Sequence, residues 1–161
     1  MSGQTLPETS VHLRVNGADV EVDVPTSEML FDTARDRLGL GGANLGCDHA
    51  SCGACTMLVD GSPRASCSTF TWAVDGADVT TIEGVGTPTA PSPVQEAFAK
   101  CSAFQCGYCT PGLIMTSTAL LAEDPAPDEA TIREWISSNI CRCTGYSMII
   151  DAVVQAGEEM R

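Results

Sequence analysis

The sequence predicts an α+β protein in two parts, strand pairs with one helix and a long cysteine loop, then four short helices. Three observations carry this. Apolar residues alternate with period two up to about residue 82 and follow a helical period from about residue 93. Between them, Gly84-Val-Gly-Thr-Pro-Thr-Ala-Pro-Ser-Pro93 packs three prolines and two glycines into ten positions, which neither a helix nor a sheet ladder tolerates. Eight of the nine cysteines gather in two groups, one on each side of that break. The expected parts are therefore residues 1–84 and 85–161.

In chain order, Val11, Leu13 and Val15 alternate with polar residues, Asn16-Gly17 signals a type I′ turn, and Val20, Val22 and Val24 alternate on the return. A helix follows, with Thr26 or Ser27 able to cap it, Leu30, Phe31, Ala34 and Leu38 as its apolar stripe, and Gly39 as its stop. Residues 41–55 hold glycine and cysteine without either period and read as a loop. A second hairpin turns on Asp60-Gly61, and Val79–Ile82 reads as a last strand. Beyond the break, Ser92-Pro93-Val94-Gln95 forms a capping box with proline in the first turn, opening a helix over about 93–104. Thr110-Pro111 opens a second, Asp128 caps a third carrying Ile132, Trp135 and Ile136, and Ser147 begins a fourth. Four short helices with short connections predict an antiparallel four-helix bundle.

Composition excludes several function classes. The chain has 161 residues, 8 Lys+Arg against 21 Asp+Glu, and a formal charge of −13, a poor match for nucleic-acid phosphates. No apolar run approaches the roughly 20 residues that span a bilayer. The opening segment Met1–Ser10 has neither a basic region nor an apolar core, so no secretory signal is expected and the location reads as cytoplasmic. In that reducing compartment nine cysteines point to metal or redox chemistry before disulfides. No Gly-x-Gly-x-x-Gly or Walker sequence signals a nucleotide site.

The first cysteine group is Cys47, Cys52, Cys55 and Cys67. Its C-x4-C-x2-C run has the plant-type ferredoxin spacing for a [2Fe–2S] cluster. One loop must then wrap a compact core from several directions, with Gly46 and Gly53 permitting close backbone approach. Zinc is the chemical alternative, although its sites commonly use two C-x2-C knuckles. The second group is Cys106-x2-Cys109 with Cys141-x-Cys143. Each pair alone also fits a zinc knuckle. The two pairs fall in the connections between helices one and two and between helices three and four, which an up-down-up-down bundle places at one end. A second four-cysteine site follows, with zinc again the alternative. Cys101 lies on a helical stripe with Val94, Ala97 and Phe98 and reads as a small buried hydrophobe. His49 reads as a solvated loop residue, because a Rieske centre needs two histidines. Arg142 either donates hydrogen bonds to sulfur or faces solvent.

Three motifs, Gly46-Cys-Asp-His-Ala-Ser-Cys-Gly-Ala-Cys55, Gln105-Cys-Gly-Tyr-Cys-Thr-Pro-Gly112 and Asn139-Ile-Cys-Arg-Cys-Thr-Gly145, resemble the iron–sulfur subunit of the molybdenum hydroxylases, the xanthine dehydrogenase and aerobic carbon monoxide dehydrogenase family. The resemblance spans about residues 10–158. It implies a plant-type ferredoxin-like (β-grasp) domain with one [2Fe–2S] cluster and an all-α four-helix-bundle domain with another. It further implies a molybdenum–pterin cofactor in a large partner subunit and FAD in a medium one, within a dimer of heterotrimers, since the chain stops at Arg161. Carried over by position, Gln105 and Cys143 approach the pterin, Cys143 while also ligating iron. No residue of this chain is expected to be catalytic. The expected role is to pass electrons from the molybdenum centre through the Cys106/Cys109/Cys141/Cys143 cluster, then the Cys47/Cys52/Cys55/Cys67 cluster, to the flavin. A free-standing two-cluster carrier and a two-zinc adaptor are the rival readings. Purines, N-heterocycles, aldehydes and carbon monoxide are the family's substrates, and a purine or other N-heterocycle is the expectation here.

Overall fold

The computed structural model describes residues 6–161; residues 1–5, where the polar N-terminal stretch begins, lie outside it. Strands β1 (Glu8–Val15) and β2 (Ala18–Pro25) pair antiparallel, Val15 opposite Ala18. Asn16 and Gly17 hold φ of +51° and +83°, the two left-handed residues that a type I′ turn needs. Helix α1 runs Leu30–Asp32 and continues as a wider π-helical turn over Thr33–Arg37. Its N-cap is Met29, not Thr26 or Ser27. Those two residues are still completing the turn off β2, where Thr26 N–H donates to Pro7 and Glu28 N–H to Pro25.

Strands β3 (Thr56–Val59) and β4 (Ser62–Ala65) form the second hairpin, turning through Asp60 and Gly61 at φ +50° and +77°. Strand β5 (Asp78–Thr80) lies parallel to β1 and antiparallel to β3, giving a five-stranded sheet ordered β2-β1-β5-β3-β4. The last strand is shorter than its sequence suggests. Thr81 is gripped by Asn16, whose Oδ1 accepts from Thr81 N and whose Nδ2 donates to Thr81 Oγ1, both at 2.9 Å. Ile82 then opens a short helix, α2 (Ile82–Val85).

The second half holds α3 (Pro93–Lys100), α4 (Thr110–Glu123), α5 (Glu129–Ile136) and α6 (Ser147–Glu159). Both halves of the Ser92/Gln95 capping box are made. Helix α3 stops short of residue 104, because Ser102 turns left-handed at φ +53° and Ala103 N–H caps back to Phe98. Asp128 caps α5 through Thr131 N–H. Helix α4 is buried on almost every side, packed against α3, α5 and α6 and also against β3.

Two cores result. Val11, Leu13, Val24, Leu30, Met57 and Val79 fill the space between the sheet and α1. Phe98, Leu113, Leu120, Ile132, Ile149 and Val153 fill the helical half. A third cluster of Leu58, Met115 and Ala119 joins them. Strand β3 shows why: all four of its residues are buried, with Met57 and Val59 in the sheet core and Leu58 against α4. A strand covered on both faces loses polar alternation. The two halves are thus pressed together along β3 and α4, and the cysteine loops lie along the same seam.

Candidate metal centres

Residues 46–55 wrap a loop in which Ala50 (φ +60°) and Gly53 (φ +70°) take left-handed backbone. Those reversals turn successive N–H groups inward, as in an anion-binding nest. Backbone N–H groups of His49, Cys52 and Ser51 approach the Cys47 sulfur, and the first of these contributes most to drawing that thiol down to about 6. Ala54 N–H faces Cys52, and Ala50 N–H reaches Cys67. Cys55 and Cys67 are buried, and burial pushes the Cys67 thiol up to about 11. Ser66 Oγ donates to the Cys55 carbonyl at 2.7 Å, tying the hairpin's return to the loop. A Cβ on Gly46 would stand 3.0 Å from Cys52 Sγ, a contact tight enough to push that thiol aside.

The second group comes from two segments. Cys106 and Cys109 precede α4, and Cys141 and Cys143 precede α6. Cys143 Sγ lies 3.6 Å from Cys106 Sγ. Burial drives Cys109 up to about 12, and its thiol also shares a hydrogen bond with Cys141. For Cys141 burial is the largest influence and acts upward. The Thr144 hydroxyl at 3.1 Å, with backbone N–H groups, outweighs it and leaves the thiol lowered. Gln105 Nε2 donates to the Cys143 carbonyl at 3.1 Å, so it braces a candidate ligand directly. The four thiols surround a cleft of about 220 Å³, which Cys52 and Tyr108 also line.

Within each group the thiols meet two by two: Cys47 with Cys52, Cys55 with Cys67, Cys106 with Cys143, Cys109 with Cys141. A [2Fe–2S] core takes two thiolates at each of two irons, so two pairs per site suit it better than a single tetrahedral ion. The inward N–H groups complete the fit, as does the burial that raises the Cys67 and Cys109 thiols, since a bound cation stabilises buried thiolates.

His49 faces solvent and pairs with Asp48, Nδ1 to Oδ1 3.0 Å. Arg142 is exposed at the lip of the cleft. Cys101 is half-buried on the edge of the helical core and points its thiol at Gln155 Oε1, 3.1 Å away. It packs as the helical stripe predicts and in addition makes a polar contact. Three neighbours of the sites escaped sequence reasoning: Asn139, Thr116 and Tyr108. Asn139 and Tyr108 sit inside the cysteine motifs, but their partners are far away in sequence.

Two family models match the chain. A 2Fe-2S iron-sulfur cluster binding domain covers residues 13–81, and a [2Fe-2S] binding domain covers residues 81–154. The chain is 43% identical to the aldehyde oxidoreductase iron-sulfur-binding subunit PaoA of Escherichia coli (strain K12), over 92% of this chain and 72% of that one. It is also 43% identical to the nicotine 6-hydroxylase small subunit of Paenarthrobacter nicotinovorans, over 91% and 88%. The chain belongs to the small iron–sulfur subunits of the molybdenum hydroxylases. Solved structures agree with this membership. In quinoline 2-oxidoreductase from Pseudomonas putida 86, one chain matches with TM-score 0.90 and 37% identity over 94% of both chains. In the aldehyde oxidoreductase of Desulfovibrio desulfuricans, the match has TM-score 0.92 and 40% identity, covering 94% of this chain and 17% of that longer one. Such a subunit is the non-catalytic, electron-carrying member of an oxidoreductase complex with two [2Fe–2S] clusters.

Proposed function

We propose that Cys47, Cys52, Cys55 and Cys67 hold one cluster and Cys106, Cys109, Cys141 and Cys143 the other, in domains spanning residues 1–84 and 85–161. The observation that carries this is the convergence of each set of four thiols, the second around one cleft with Cys143 Sγ 3.6 Å from Cys106 Sγ, the first within one closed loop where each thiol feels the others. When bound, each cluster takes up and releases one electron at a time. The chain's own groups do the rest. Inward N–H groups of residues 49–54 stabilise sulfur charge at the first site. Burial of Cys55 and Cys67 keeps water from it. At the second site the exposed Cys106 and Cys143 open toward a partner surface, with Gln105 beside them. We read this as the side facing a molybdenum–pterin cofactor in a large subunit, and the first site as the one toward FAD in a medium subunit. An antiparallel four-helix bundle is our reading of α3–α6, and a dimer of heterotrimers our reading of the assembly. No helix here is long and apolar enough to cross a membrane. A reducing cytoplasm suits nine unpaired thiols. For the complex we favour an N-heterocycle or aldehyde substrate, because relatives carry names such as nicotinate dehydrogenase, caffeine dehydrogenase and aldehyde oxidoreductase.

The test is purification of the native complex with metal analysis and EPR of the reduced protein. We expect two larger partners, four irons per small subunit, and two distinguishable [2Fe–2S] signals. Cys55→Ser should remove one signal and Cys106→Ser the other, each leaving about half the iron. Stoichiometric zinc, or one substitution abolishing both signals at unchanged iron, would overturn the reading. Purification of the chain alone with both clusters would favour the free-standing carrier instead.

A further inference from the structure

Asn139 is 1% exposed and stands on the seam between the two cysteine sites. Its Nδ2 donates to the Gly53 carbonyl at 2.8 Å, inside the first cysteine loop. Its Oδ1 accepts from Thr116 Oγ1 of α4 at 2.8 Å and lies 2.9 Å from Ser138 Oγ, whose one proton is shared with the Trp135 carbonyl, also at 2.9 Å. A carbonyl can only accept, so the amide nitrogen must face Gly53 and the side chain has one orientation. The backbone of Asn139 works toward the other site. Its carbonyl accepts from Tyr146 Oη at 3.0 Å, and that oxygen in turn accepts Cys141 N–H at 2.7 Å. One residue is therefore bonded to a loop carrying Cys52 and Cys55 and, through one tyrosine, to Cys141.

Space is as tightly defined as polarity. A Cβ on Gly53 would stand 2.5 Å from both Asn139 Nδ2 and the Ser138 carbonyl, and a Cβ on Gly112 would collide with the Gly53 carbonyl. Two flanking contacts tie the same loops: Ile140 N–H donates to the Cys52 carbonyl at 2.8 Å, and Tyr108 Oη donates to the Leu45 carbonyl at 2.8 Å. A buried polar network with every partner satisfied specifies one geometry, because any slip leaves an unpaired group in the interior.

We infer that Asn139 is a positioning residue that fixes the separation and relative orientation of the two clusters, and thereby the rate at which an electron crosses between them. The inference rests on the ligand assignment proposed above. Electron tunnelling falls exponentially with distance, and dipolar coupling between two paramagnets falls with its cube, so a shift of the two loops registers in both. Asn139 touches neither cluster in this account and acts through Gly53, Tyr146 and the loops they belong to.

The experiment uses the intact complex, reduced so that both clusters are paramagnetic. Magnetic interaction between them is read by EPR, and intercluster transfer by rapid freezing during reduction. Asn139→Asp keeps the shape and the bonds from Thr116 and Ser138 but turns an acceptor onto the Gly53 carbonyl. We expect iron content to be retained, the interaction to weaken or vanish, and intercluster transfer to slow. A fully loaded variant with an unchanged interaction overturns the inference, as does a parent complex whose two signals do not interact. If Asn139→Asp fails to load iron, Thr116→Val decides, since it removes one hydroxyl that orients the amide at nearly constant shape. A changed interaction in that variant supports the positioning role and an unchanged one overturns it. Failure of the ligand assignment itself looks different, because the parent complex would then lack two cluster signals altogether.

Discussion

The two cysteine groups are assembled in opposite ways. The first draws its thiols from one stretch, Cys47 to Cys67, and closes that stretch with its own hairpin. Its last two cysteines are buried. The second draws on segments separated by α4 and α5, and two of its four thiols, Cys106 and Cys143, are exposed. Local loop closure makes the first site largely self-sufficient, whereas the second exists only once helices pack. The difference teaches where each site's weakness lies: in loop conformation for the first, in the placement of α4 and α6 for the second. Gly53 is where the two meet.

Substituting Gly53 is expected to have the largest effect, because it strikes both regions at once. Gly53→Val must hold φ +70° with a β-branched side chain while driving into Asn139 Nδ2 and the Ser138 carbonyl. Left-handed strain and overpacking together cost about 3 kcal/mol or more. Thermal unfolding should show a marked loss of stability, and iron analysis a loss from both sites. Retention of the second cluster at full occupancy would show that the sites are less coupled than this seam implies.

Gly107→Ala sharpens the contrast from the other side. Gly107 also has a left-handed φ, +83°, but nothing lies within 4 Å of the Cβ it would gain. Strain alone should cost about 1–2 kcal/mol. It should fall on the Cys106–Cys109 turn, leaving the first site's EPR signal intact while iron at the second is lost more readily to a chelator. Equal loss from both sites would contradict the separation.

How much of this could be read from residues alone follows the same division. Local features were legible: the left-handed Asn16-Gly17 and Asp60-Gly61 turns, the Ser92/Gln95 box and the Asp128 cap all depend on neighbours within a few positions. What escaped depends on distant partners. Nothing near Val79 announces that β5 runs parallel to β1, and nothing near Thr81 announces that Asn16 will end the strand. The run Thr56–Val59 carries no alternation, because its second face is covered by a helix more than fifty residues later. Asn139 sits in a cysteine motif, yet its meaning comes from Gly53, which is 86 positions away. Thiol pairing within each site is likewise a property of the closed loops and not of their spacing.

The smallest expected effect concerns an ion pair of the first half that lies outside its cysteine loop. Arg37 grips the Glu28 carboxylate with two donors at 2.5 Å, while Thr33 Oγ1 donates to it at 2.7 Å. The Arg37 hydrogen bond, chiefly, holds the Glu28 carboxyl below its ordinary value, against an opposing push from burial. A carboxyl depressed in the folded state contributes stability that is complete above its unfolded value, about 4.3, and is lost as pH falls through the lower folded value. Arg37 is 38% exposed, so solvent screens the pair and the contribution is about 1 kcal/mol or less. Glu28→Gln should therefore lower stability slightly at pH 7, and the gap should close as pH drops below about 4. In the helical half the Thr131 N–H holds the Asp128 carboxyl below its ordinary value. Asp128→Asn should change little at pH 7, since asparagine caps a helix about as well as aspartate. It should stand slightly ahead of the parent at pH 3, where the aspartate is losing its charge. Chemical denaturation of both variants at pH 7 and at pH 3 distinguishes the cases, and a Glu28→Gln deficit that persists unchanged at the lower pH would place its origin in packing and not in charge.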